Sequence, residues 1–97
     1  MTKVGEHITL DIIGTTKEYD PSIFEKVIQD IAKVAKVTIL NISKYKFEPQ
    51  GFTILALLAE SHISFHTFPE KEIISFDFFT CGKINPSIAI DIIKKEF

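Results

Sequence analysis

Two stretches of the chain concentrate side chains that could do chemistry: AESHISFHTFPE (59–70) and FFTCG (78–82). They supply an acid followed by a serine (Glu60, Ser61), two histidines (His62, His66), a proline-acid pair (Pro69, Glu70) and the single cysteine, Cys81. Two histidines four apart bind one metal ion when they share a helix face. This segment alternates like a strand instead, and four extended residues span about 13 Å, too far for one ion. No metal centre is expected. A Ser-His-acid hydrolase would place its nucleophile in a Gly-x-Ser-x-Gly elbow, whereas Ser61 follows an acid. Taken singly, each residue also has an ordinary structural reading: Ser61 at a hairpin end, His62 and His66 on a wet strand face, Cys81 as a small buried group.

The elements that must position these residues follow from periodicity. EHITLDII (6–13) alternates polar with apolar residues, as a half-buried strand does, and GTTKEY turns the chain. Asp20-Pro21 is a cap followed by proline at the first helical position; Phe24, Val27, Ile28, Ile31, Val34 and Ala35 then fall at helical spacing to residue 35. VTILNISKYKF (37–47) is a strand closed by the turn EPQG, and FTILALLA (52–59) is an apolar central strand. HISFHTF (62–68) and IISFDFFT (73–80) form a hairpin about PEKE, and Asn85-Pro86 opens a closing helix through Ile88, Ala89, Ile92 and Ile93.

The order β-α-β-β-β-β-α predicts a single α+β domain over 1–97: a two-layer sandwich with a mainly antiparallel sheet and both helices on one face. The other sheet face is then uncovered. With Ile54, Ala56 and Leu58 assigned to it, that face is apolar, and dimerisation through it is expected. A net charge of −2, with no basic cluster beyond Lys94-Lys95, argues against nucleic acid as a partner. No apolar run approaches the roughly 20 residues of a membrane span, and the N-terminus lacks a signal-peptide core, so no membrane partner is expected and a cytoplasmic location is. The lone Cys81 agrees with a reducing compartment.

Taken together, ESHISFHTFPE and DFFTCG resemble the signature of the small prokaryotic S-adenosylmethionine decarboxylases. That signature is Glu-Ser-His, then His-Thr-Trp-Pro-Glu, then a strand ending Phe-Thr-Cys-Gly. The resemblance extends to GEHITLDIIG, the KFEPQG turn and NPSIAIDIIKK, nearly the whole chain. It implies a self-processing enzyme supplying the aminopropyl donor for polyamine synthesis. Ser61 would attack the carbonyl of Glu60, the ester would eliminate, and hydrolysis would leave a pyruvoyl cofactor on a 61–97 chain, with 1–60 as the other chain. By the same resemblance His66 is the processing base, Thr53 (usually Ser) assists processing, Cys81 is the proton donor of decarboxylation, Glu70 holds the ribose hydroxyls and Phe47 stacks on the adenine. The chemistry is coherent: decarboxylation leaves a carbanion that needs an electron sink, and a carbonyl able to form a Schiff base with the substrate amine provides one. A thiol, mostly protonated at neutral pH, can then protonate the carbon.

Phe68 stands where the family has Trp, keeping an aromatic, and family members continue past the closing helix into another strand. Arginine or ornithine decarboxylase activity on the same scaffold, and a non-catalytic dimeric domain, are the alternatives. Pairing HISFHTF with IISFDFFT about PEKE sets Phe65 opposite Phe76 and Ser64 opposite Asp77, and continuing that register brings Cys81 opposite Glu60 and Ser61. His66 then lies at the far end, roughly 16 Å along the strand from Ser61. A homodimer with shared sites is therefore expected, with Ser61 and Cys81 from one chain and Thr53, His66, Glu70 and Phe47 from its partner.

Overall fold

The computed structural model describes residues 5–15, 20–81 and 84–97. Much of the GTTKEY turn (residues 16–19) and Gly82 of the Cys81-Gly82 strand end lie outside the described residues. Alternation in the first segment yields β1 (Gly5–Ile13), and the cap-plus-proline device opens α1 (Pro21–Ala35), where the Asp20 carboxylate accepts the Ser22 N–H at 2.9 Å. Three strands follow: β2 (Ile39–Lys46), β3 (Phe52–Leu58) and β4 (Ser61–Phe68). A single 3-10 turn at Pro69–Lys71 leads into β5 (Ile73–Cys81), and α2 (Ile88–Glu96) closes the chain.

The strands form one antiparallel sheet in the order β1-β5-β4-β3-β2, so β4 and β5 sit near its centre with neighbours on both sides. Phe65 pairs with Phe76 and Ser64 with Asp77, as the turn chemistry predicts. Both helices cover one face. Phe24, Val27, Ile28 and Ile31 of α1 and Ala89 and Ile93 of α2 pack there against Ile54, Ala56, Leu58, Ile63, Phe65, Ile74, Phe76 and Phe78. Phe24 is the centrepiece, its ring edge-on to Phe52 and Phe65 at 5.0 Å from each.

This overturns one expectation. Ile54, Ala56 and Leu58 are fully buried beneath the helices, and Leu55 and Leu57, 48% and 52% exposed, stand on the open face. Both sets of β3 are apolar, so alternation there has no polar partner to reveal which set faces the core. The open face is nonetheless partly apolar, through Leu55, Leu57 and Phe79, interleaved with polar side chains.

Candidate active site

The hairpin β3-β4 turns in two residues, Ala59 and Glu60, because Leu58 pairs directly with Ser61. Ser61 is thus the first residue of β4. Alternation puts it on the same side as Ile63 and Phe65, and it is 6% exposed. On the adjacent strand β5 runs on to Cys81, which pairs with Gly5 of β1 and is half-buried. The β4-β5 register, which pairs His62 with Phe79, carries on to Glu60 opposite Cys81. Glu60, Ser61 and Cys81 therefore share one end of the sheet, though Ser61 faces the helix layer and Cys81 alternates with Asp77 and Phe79 onto the open face. Gly5 makes room at this end, since a Cβ there would collide with the Thr80 carbonyl oxygen.

The remaining candidates gather at the other end. Thr53 and His66 are cross-strand partners, with Thr53 Oγ1 and His66 Nδ1 2.9 Å apart on the open face. Glu70 sits in the turn after β4 and accepts a hydrogen bond from Gln50 Nε2 at 3.3 Å, which ties it to the Pro49–Gly51 turn after β2. Gly51 takes the left-handed conformation (φ 90°) that this turn needs, and its carbonyl accepts the Phe47 N–H at 2.8 Å. Phe47, exposed beside Tyr45 with ring centroids 4.9 Å apart, is thereby held at the same end as Glu70. Within one protomer the seven candidates fall into two groups, Glu60, Ser61 and Cys81 against Phe47, Thr53, His66 and Glu70.

Between the groups lies a constellation that sequence reading missed. Asp77 Oδ2 meets His7 Nε2 at 2.7 Å and His62 Nε2 at 3.2 Å, while Oδ1 accepts the Ser64 hydroxyl. Burial pushes the Asp77 carboxyl up, but the hydrogen bonds from Ser64, His7 and His62 outweigh it and hold the group below its ordinary value. His62 stacks on Phe79 at 5.8 Å, and His7 meets both rings edge-on at 6.0 Å. One ring nitrogen from each histidine and a carboxylate oxygen all lie within 4.8 Å of one another, so His62 finds its partners in His7 and Asp77 rather than His66, and the set could hold a divalent ion. The signal available in sequence was the shared strand parity of His7, His62 and Asp77, but only the register brings them together. Beside them a shallow depression of about 290 Å³ is lined by Thr9, Asp11, Ser64, His66, Ser75 and Asp77.

Comparison with known proteins decides the family. The family model for S-adenosylmethionine decarboxylase matches residues 6–97. The chain belongs to the S-adenosylmethionine decarboxylase family. It is 42% identical to the S-adenosylmethionine decarboxylase proenzyme of Prochlorococcus marinus (strain MIT 9313), over 96% of this chain and 77% of that protein. A proenzyme of the same name from Methanococcus maripaludis (strain C5) is 39% identical over 98% of this chain and 80% of its own length. Among solved structures, the adenosylmethionine decarboxylase of Aquifex aeolicus VF5 superposes with a TM-score of 0.83 at 31% identity, covering 99% of this chain and 82% of that one. No helix among the described residues is long and apolar enough to cross a membrane.

Proposed function

We propose that this chain is a proenzyme that cleaves itself between Glu60 and Ser61 and then decarboxylates S-adenosylmethionine. The observation that carries the reading is the register that sets the Glu60-Ser61 turn beside Cys81 at one end of the β4-β5 hairpin. In processing, Ser61 Oγ adds to the Glu60 carbonyl carbon and the peptide C–N bond breaks, giving an ester. Removal of the Ser61 α-proton expels the Glu60 carboxylate, and water releases ammonia to leave a pyruvoyl group on residues 61–97. That group supplies the electron sink for decarboxylation. The residues present fit it: Ser61 begins a central strand and is almost wholly buried, so a carbonyl formed there is shielded from bulk water.

Cys81 supplies the proton to the carbon that loses carbon dioxide. Glu70 offers two acceptor oxygens to a ribose diol, and Phe47 an exposed ring face to an adenine. His66, paired with the Thr53 hydroxyl, is the base of the elimination. These four lie at the sheet end opposite Ser61 and Cys81 or beyond it, about 16 Å along β4 in the case of His66. That separation supports a homodimer in which two open faces pack about a two-fold axis and each site takes Ser61 and Cys81 from one protomer and Phe47, Thr53, His66 and Glu70 from its partner. The open face suits burial, because its polar groups already satisfy one another through Asp77, Asp11–Ser75 and Thr53–His66.

The test is carbon dioxide release from carboxyl-labelled substrates by the purified protein. Release from S-adenosylmethionine supports the reading; release only from arginine or ornithine moves the substrate, and release from none of the three refutes the enzyme.

A further inference from the structure

The two-residue turn Ala59-Glu60 departs from the conformations such hairpins favour. Type I′ and II′ turns match the twist of the flanking strands, and both need positive φ at the first turn residue. Here Glu60 alone has positive φ, 63°; among the described residues the other non-glycine residues with positive φ are Lys36 and Glu72, so the φ of Ala59 is not positive. Positive φ at the second position only is the type II pattern, which wants glycine there and splays a two-residue hairpin. Lys36 and Glu72 adopt the same region where it caps a helix, each N–H meeting carbonyls of the preceding turn. Glu60 instead carries the carbonyl of the scissile bond. The turn cannot relax as a unit, because Leu58 and Ser61 are paired beneath it and the Ala59 N–H donates to the Thr38 carbonyl at 2.9 Å.

We infer that this turn is part of the processing machinery: the left-handed backbone at Glu60, locked in a turn of the wrong hand, stores strain that the acyl shift releases. The inference rests on the self-cleavage reading above. In the shift the Ser61 hydroxyl oxygen bonds to the Glu60 carbonyl carbon, the C–N bond breaks, and the hydroxyl proton ends on the Ser61 nitrogen. The path from that carbon to Ser61 Cα then runs through Oγ and Cβ instead of N, one atom longer, so Glu60 can leave the left-handed region. A left-handed non-glycine residue is disfavoured by an amount equivalent to about a five- to thirty-fold change in an equilibrium constant, and the ester population gains by that factor. Glu60 is thus a positioning residue through its backbone, not its carboxylate.

Three full-length variants separate the causes: Glu60→Ala, Glu60→Gly, and Ala59→Asn combined with Glu60→Gly, which favours a type I′ turn. Each is made by pulse-labelled cell-free translation, with cleavage followed by electrophoresis and the ester trapped by hydroxylamine. Each is also made in a Ser61→Ala background, where the uncleaved chain reports turn strain as a thermal midpoint. The expected result is that Glu60→Ala, which keeps a non-glycine residue at the positive φ, cleaves about five-fold or more faster than Glu60→Gly. The Asn-Gly pair should be slowest, the ester yield should fall in step, and midpoints should rise in both glycine variants. Unslowed cleavage in the glycine variants, midpoints that do not rise, or slowing by Glu60→Ala equal to that by Glu60→Gly each overturn the inference. A wild-type chain that never cleaves overturns the self-cleavage reading itself, whatever the variants' midpoints show.

Discussion

Co-expressing Ser61→Ala with His66→Ala probes the proposed shared site, because each variant alone lacks one group that the proposed processing requires. His66 lies five residues from Ser61 on a central strand fixed on both sides by β3 and β5. At about 3.3 Å per residue that is roughly 16 Å, several times the 3 Å or so over which a base can act. A side chain cannot close that gap without breaking the ladder. In a two-fold dimer the contact is reciprocal, so a mixed dimer holds one site with both groups altered and one with both intact. The intact site takes Ser61 from the His66→Ala chain. With random assortment at equal expression, about half of the His66→Ala chains have the complementary partner, so cleavage should plateau near half of that chain and at none of the Ser61→Ala chain. Differently tagged chains and denaturing electrophoresis read this directly. Mixed dimers, purified through both tags, that show no cleavage would refute the trans arrangement, as would His66→Ala cleaving normally by itself.

Cys81→Ala should leave cleavage intact while lowering carbon dioxide release per processed chain by about a hundred-fold or more, and unchanged turnover would remove its role as proton donor. Phe65→Ala empties a fully buried site between Phe24 and Phe76, with centroids 5.0 and 4.9 Å away; in a Ser61→Ala background, urea unfolding should report a loss of about 3–5 kcal/mol. Asp77→Asn tests the open-face network. Because the Asp77 carboxyl is held below its ordinary 3.8, its stabilisation is complete above that value and lost as pH falls through the lowered one. The thermal-midpoint gap between wild type and Asp77→Asn should therefore narrow below about pH 4, and a gap that widens on acidification would contradict the assignment.

Where local chemistry dictates structure, the sequence is explicit. Asp20-Pro21 marks where α1 begins; Asn85-Pro86 instead forms a turn just ahead of α2, which starts at Ile88 with Ser87 as its N-cap, and the Asn85 side chain accepts the Ser87 N–H at 3.0 Å much as Asp20 serves Ser22. The PEKE turn fixes the β4-β5 register, and with it the end shared by Glu60 and Cys81. β3 was less legible, because both of its faces are apolar and only the helix layer selects Ile54, Ala56 and Leu58 for the core. The His7–His62–Asp77 group was hidden for a different reason. Its members lie 70 and 15 residues apart, and they meet only because the first and last strands are sheet neighbours. Nor does residue type reveal the left-handed backbone at Glu60, a position where glycine would be the expected signal.

The central claim, self-cleavage between Glu60 and Ser61, is tested most directly by the intact mass of the purified protein. Two masses are predicted: residues 1–60 ending in a free carboxylate, and residues 61–97 lighter by one ammonia than the same fragment beginning with serine. Ser61→Ala should give a single full-length mass. A folded wild-type protein that keeps its full-length mass after prolonged incubation, or fragments cut at any other bond, would contradict the account.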